Sequence, residues 1–146
     1  MSIESILNYV SISDALASSG QPDVHQFDSI AKAGFRVVIN LAMPDSDNAI
    51  ADEGRIVESL GMHYVSIPVP FEAPSSLHLK EFFNIMQKFS TDKVWVHCAL
   101  NYRVSAFLYQ YFRIVHGMAE EDASKVMLLS WEPDETWQAF MQVTDL

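Results

Sequence analysis

Apolar residues along this chain fall into two alternating rhythms. The runs Val37-Val38-Ile39-Asn40-Leu41, Tyr64 to Ile67 and Lys93-Val94-Trp95-Val96 are short, β-branched and bounded by turn residues, as buried strands are. Between them the period lengthens to that of a helix. Leu79, Phe82, Phe83, Met86 and Phe89 recur at i, i+3, i+4 and i+7, behind Ser75 or Ser76 as a cap. Val104, Phe107, Leu108, Tyr111, Phe112 and Val115 make a second stripe, closed by His116-Gly117. Asp23 caps a helix that runs to about Ala33 and ends at Gly34, and Asp45-Ser46-Asp47 opens another that runs to about Leu60 and ends at Gly61. Two further helices are expected from about Glu120 to Leu129 and from Asp134 to Met141. At the start, Tyr9 to Ile12 and Leu16 to Ser18 flank Ser13-Asp14 as a hairpin. Strands alternating with helices imply an α/β fold of three layers, with a mainly parallel sheet of four or five strands between helices.

Composition narrows the class. A chain of 146 residues, about half of them apolar, is long enough for one domain with a core of its own. No apolar run reaches the roughly 18 residues of a membrane span, and Met1-Ser2-Ile3-Glu4 lacks the basic and apolar regions of a signal peptide. A cytoplasmic location is therefore expected. The formal charge of −10 at pH 7 disfavours nucleic acid and acidic membranes as partners. Any site for an anion must then be built locally, from backbone N–H groups and one or two arginines.

The candidate chemistry lies in His97-Cys98-Ala99-Leu100-Asn101-Tyr102-Arg103. Cys98 is the sole cysteine, so an intramolecular disulfide is excluded, as is a cysteine-rich zinc site. The five histidines show no ligand spacing, and neither metal nor cofactor is expected. Cys98 sits where a strand passes into a helix. Such a turn aims successive N–H groups at one point, backed by the helix dipole, and stabilises a thiolate or an oxyanion placed there. Arg103, in the first turn of the helix, supplies a guanidinium that can grip an oxyanion through two N–H groups. Ala99, Leu100, Asn101, Tyr102 and Arg103 are thus the candidate phosphate-binding residues.

Val96-His97-Cys98, a short loop and Arg103 resemble the signature of the protein tyrosine and dual-specificity phosphatases. Further features appear in order upstream: Ser19-Gly20-Gln21-Pro22, Ala33-Gly34-Phe35 leading into Val38-Ile39-Asn40-Leu41, Pro44-Asp45, and Ile67-Pro68-Val69. Together they resemble a bacterial branch, the phosphatase-like domain also found attached to beta-lactamase-like hydrolases. The resemblance spans roughly residues 9–130. It implies a dual-specificity-phosphatase-like fold and hydrolysis of a phosphorylated substrate through a phosphocysteine. It also implies Cys98 as nucleophile, Arg103 as phosphate clamp, and His97 as the residue that orients the loop and favours the thiolate.

The chain departs from the family pattern in four places. Four residues separate Cys98 from Arg103, where most tyrosine phosphatases have five. Asn101 replaces the usual glycine, and Asn is the residue that best tolerates a positive φ without being one. Val104 replaces the hydroxyl residue that helps the thiolate leave, and Ser105 points about 100° away around the helix. The general acid is open: Glu72 is the only carboxylate in the turn Pro68 to Pro74 that follows the strand ending at Ile67, and Asp45 and Asp47 are alternatives on the same sheet edge. Two other functions therefore stand beside the phosphatase: a non-catalytic phosphate-binding module on the same fold, and a rhodanese-like sulfurtransferase.

Overall fold

The runs around Val38 and Trp95 become strands buried on both faces, as the centre of a parallel sheet requires, while the run from Tyr64 lies half-exposed at the sheet edge. A computed structural model describes residues 2–146; Met1, read above as part of the N-terminus, lies outside them. Strands β1 (Val10–Ser13) and β2 (Leu16–Ser19) form the expected antiparallel hairpin. Strands β3 (Val37–Asn40), β4 (His63–Ser66) and β5 (Val94–His97) join it in the order β1-β2-β5-β3-β4. Every pairing except β1 with β2 is parallel.

Successive residues on a strand face opposite sides, and this divides the core in two. Val37, Ile39, Val94 and Val96 pack under α3 (Ser76–Lys88), α4 (Tyr102–Gln110) and α6 (Glu135–Phe140), against Leu79, Phe82, Phe107 and Trp137. Ala17, Val38 and Trp95 pack on the other side, against Phe27 and Ile30 of α1 (Val24–Lys32) and Val57 of α2 (Glu53–Ser59). The three-layer α/β architecture is the one the pattern predicts. Among the described residues, no helix is long and apolar enough to cross a membrane.

Local signals explain most boundaries. Asp23 accepts from the Gln26 N–H at 2.7 Å while Gln26 Oε1 accepts from the Asp23 N–H at 2.9 Å, a reciprocal cap on α1. Ser75 accepts from the His78 N–H and starts α3.

Three boundaries differ from the pattern. The helix expected from Asp45 begins only at Glu53. Asp52 is left-handed, with φ 59°, and breaks the helix there, while Asn48 turns its side chain to another segment. The helix expected from Glu120 to Leu129 is α5 (Glu120–Ala123) and a 3-10 turn, Ser124–Val126, because the Leu128 N–H is drawn to Ser105 Oγ at 2.9 Å. Beyond α4 the chain continues as one π turn, Tyr111–Val115. Next to it, Gln110 donates to the carbonyls of Phe140 and Val143, and Arg113 to those of Met141 and Val143.

Asp23→Ala removes one half of the α1 cap and strands the other. The expected cost is about 1 kcal/mol of stability, with no change in site chemistry, read by urea denaturation. A loss indistinguishable from zero would show that packing of Phe27 and Ile30, not the cap, sets where α1 begins.

Candidate functional site

The loop between β5 and α4 is held from outside by its carbonyls. Cys98 O accepts from His97 Nδ1 at 3.1 Å. Ala99 O accepts from the Gln21 N–H and from Asn48 Nδ2, each at 3.0 Å. Leu100 O accepts from Asn8 Nδ2 at 2.9 Å, and Asn101 O from Ser105 Oγ at 2.7 Å. With the carbonyls tied away, the N–H groups of Ala99, Leu100, Asn101, Tyr102 and Arg103 have no acceptor among the described residues. Asn101 takes the left-handed conformation expected of it, φ 70°, and turns its side-chain amide outward to Asn8 O and Ser18 Oγ. Gly20 makes the close approach possible: a Cβ there would lie 2.7 Å from Ala99 O.

Above Cys98 lies a pocket of about 230 Å³, lined by Phe71, Cys98, Ala99, Leu100, Tyr102 and Arg103. Arg103 is 7% exposed and forms no ion pair among the described residues. Its Nη1 donates to Val69 O at 3.0 Å, while Nε is buried without a partner. A buried guanidinium with an unused N–H is costly unless an anion completes it. The pocket wall is braced from behind: Tyr102 stacks on Trp131 with centroids 5.3 Å apart, and Trp137 Nε1 donates to Phe71 O at 2.9 Å.

The candidate residues thus divide. Cys98, Ala99, Leu100, Tyr102 and Arg103 share one pocket. His97 is fully buried on the opposite face of the sheet and meets the loop through the Cys98 carbonyl. Glu72 is exposed and opens on a separate groove with Ser75, Ser76 and Thr136. Asp45 and Asp47 are exposed in the turn that carries Asn48 to Ala99. Among the described residues, no carboxylate lines the pocket over Cys98. Val104 is fully buried, and Ser105 Oγ is engaged with Asn101 O and the Leu128 N–H.

Sequence reasoning missed Glu53. Its Oε2 lies 2.6 Å from His97 Nε2, and its Oε1 accepts from Gln21 Nε2 at 2.7 Å. A carboxylate inside an expected surface helix carries no local mark of such a partner, 44 residues away. The weak signal is Gly54: a Cβ there would meet the Tyr64 ring at 2.9 Å, so the helix start is pressed against β4. Among the described residues, no three or more His, Cys, Asp or Glu side chains gather where they could hold a metal ion.

Solved structures share this arrangement of strands and helices. The "Putative phosphatase (DUF442)" of Shewanella putrefaciens CN-32 has a TM-score of 0.85 and 34% identity, over 95% of this chain and 91% of that one. Tk-PTP in its active form has a TM-score of 0.76 at 20% identity over 92% of each chain. TpbA of P. aeruginosa has a TM-score of 0.75 at 16% identity over 95% of this chain and 85% of that one. No protein-family model and no curated protein matches the sequence. Fold and loop define a domain of the cysteine-dependent protein tyrosine and dual-specificity phosphatase superfamily. The identity to the Shewanella protein, over nearly the whole of both chains, goes further. The chain belongs to the DUF442 family.

Gly20→Ala should displace Ala99 and spoil the cradle while the sheet stays folded. Titration with orthovanadate should then show binding weakened by about tenfold or more, the scale of one lost hydrogen bond to a charged group, with an unchanged circular dichroism spectrum. Vanadate binding equal to that of the unaltered chain would mean that the loop tolerates a shift of β2.

Proposed function

We infer that this protein is a phosphatase that hydrolyses phosphate monoesters through a phosphocysteine. The observation that carries this reading is the buried Arg103 with its unused Nε, set beside Cys98 in a loop whose N–H groups have no other acceptor. A phosphoryl group supplies what both lack. Cys98 attacks phosphorus as the thiolate, and the bond from phosphorus to the leaving oxygen breaks. Arg103 and the loop amides hold the three phosphoryl oxygens as charge redistributes. Water then attacks the phosphocysteine, releasing inorganic phosphate and restoring the thiolate. His97 holds the Cys98 carbonyl throughout. A mechanism that needs a free thiol, with no other cysteine in the chain, suits the reducing cytosol.

Protonation of the leaving group falls to a carboxylate outside the pocket. Glu72 follows Phe71, a wall of the pocket, and is assigned this role; Asp45 and Asp47 are the alternatives. The phosphate-binding module keeps one argument of its own. Val104 offers no hydroxyl, and Ser105 spends its one hydrogen on Asn101 O, so neither side chain is free to assist the second step.

Rapid mixing with an aryl phosphate decides between the two. Activated aryl phosphates need no proton on leaving and should be the best substrates. An initial burst of phenolate followed by slow release of phosphate is expected. Cys98→Ser should abolish both phases and leave vanadate binding intact. Arg103→Ala should slow the burst roughly 100-fold and weaken vanadate binding with it. Val104→Ser should raise the steady rate without altering the burst. Tight vanadate binding without burst or turnover above the Cys98→Ser control would establish the binding module instead. Thiocyanate formed from thiosulfate and cyanide, dependent on Cys98, would establish a sulfurtransferase.

Glu72→Gln should slow esters of poor leaving groups, such as alkyl phosphates, by about 100-fold, and leave the burst with activated aryl phosphates unchanged. Should Asp45→Asn or Asp47→Asn produce that pattern instead, the acid comes from the turn after β3.

A further inference from the structure

Among the described residues Glu53 is the one carboxylate in the interior, and phosphoryl transfer by Cys98 and Arg103 gives it no direct task. It is 5% exposed and His97 is 0% exposed, with 2.6 Å between Oε2 and Nε2. The other ring nitrogen, Nδ1, faces the Cys98 carbonyl at 3.1 Å. A carbonyl only accepts, so Nδ1 carries a hydrogen. One proton is then left to place between Nε2 and Oε2. Imidazole is ordinarily the stronger base of the two. Oε1 already accepts from the Gln21 amide, which holds the carboxylate in place from its other oxygen.

The neighbours of the pair are neutral or paired with each other. From β4, Tyr64 shares a cavity with Glu53. Burial, and then the negative charge of Glu53, push its phenol up to about 12, so it stays neutral. From β3, Asn40 donates to the Tyr64 hydroxyl at 3.1 Å. From α1 comes the Phe27 ring, its centroid 6.0 Å from that of His97. On the helix of Glu53 itself, Asp52 and Arg55 pair with each other at 3.2 Å on the solvent side.

We propose that Glu53 is a positioning residue of the cysteine site: its carboxylate keeps His97 doubly protonated, so that the imidazolium clamps the Cys98 carbonyl and sets a buried positive charge behind the thiol. Gln21 joins this clamp to the loop, because its side chain holds Glu53 while its backbone N–H holds Ala99. For turnover the proposal rests on the phosphatase reading; for thiol reactivity it rests on the geometry alone.

Removing a partner from a buried ion pair is destabilising, so the informative change conserves shape. In Glu53→Gln the new amide donates to Nε2, and His97 becomes neutral with its Nδ1 clamp in place. The rate at which iodoacetamide alkylates Cys98 at about pH 6 should fall about tenfold, the weight of one unit of acidity, with the whole pH profile displaced toward alkaline. The burst with an aryl phosphate should slow by a similar factor, and the KM should change little. Glu53→Asp, which keeps the charge, should recover part of both losses. In the unaltered chain labelled with 15N-histidine, both ring nitrogens of His97 should resonate in the protonated range at neutral pH. That measurement decides the matter even if Glu53→Gln fails to fold. An unprotonated Nε2, or a folded Glu53→Gln chain alkylated at the original rate, overturns the proposal. A chain that shows no burst with any aryl phosphate overturns the phosphatase reading instead, and leaves the alkylation and nitrogen spectra to judge Glu53.

Discussion

Two hydrogen bonds on the carbonyl of Ala99 determine how the rest of the site is arranged. They come from the Gln21 backbone at the end of β2 and from the Asn48 side chain in the turn after β3. A peptide whose oxygen is fixed outward presents the next N–H inward, and this holds for the neighbours bound by His97, Asn8 and Ser105 as well. The strands on either side of β5 therefore lead directly into the segments that set the loop's shape. A glycine at position 20 and a left-handed asparagine at position 101 are the local conditions for that contact.

The electrostatics follow from the same construction. A chain of net charge −10 repels anions at long range. An anion over Cys98 would be held at short range, by backbone dipoles and by the buried Arg103 guanidinium, which lies 5.7 Å from the Phe71 ring. Low polarity around such groups strengthens each contact they make. Among the described residues the pocket over Cys98 has Arg103 and no carboxylate in its lining, so no local negative charge opposes the guanidinium there.

The fold was largely legible in the sequence because its signals are repeated: three apolar runs, two helical stripes and a capping residue before α1 and α3 each give the same answer. The loop was legible because Cys98 and Arg103 bracket a strand-to-helix passage. What was lost depends on contacts distant along the chain. The start of α2 could not be read, since Asp45 and Asp47 look like a cap while the left-handed residue that ends the turn is Asp52. Glu53 could not be read as a partner of His97, because alternation along β5 shows which face His97 takes but not which helix residue waits there. The carboxylates nominated for acid chemistry were chosen by position on the sheet edge. All three proved exposed, and none lies in the wall of the pocket.

Gln110 precedes the π turn at Tyr111–Val115 and Arg113 lies within it, and these two side chains grip the chain at the end of α6 and just past it. They hold it by the carbonyls of Phe140, Met141 and Val143, groups that almost any amino acid provides. The identities of residues 141 and 143 therefore matter little to these hydrogen bonds, and what Met141 adds by its side chain is packing against the core. For these hydrogen bonds the constraint has moved to the holder: Gln110 and Arg113 bear the specificity, and a change in either frees carbonyls whose own residues record no dependence on them.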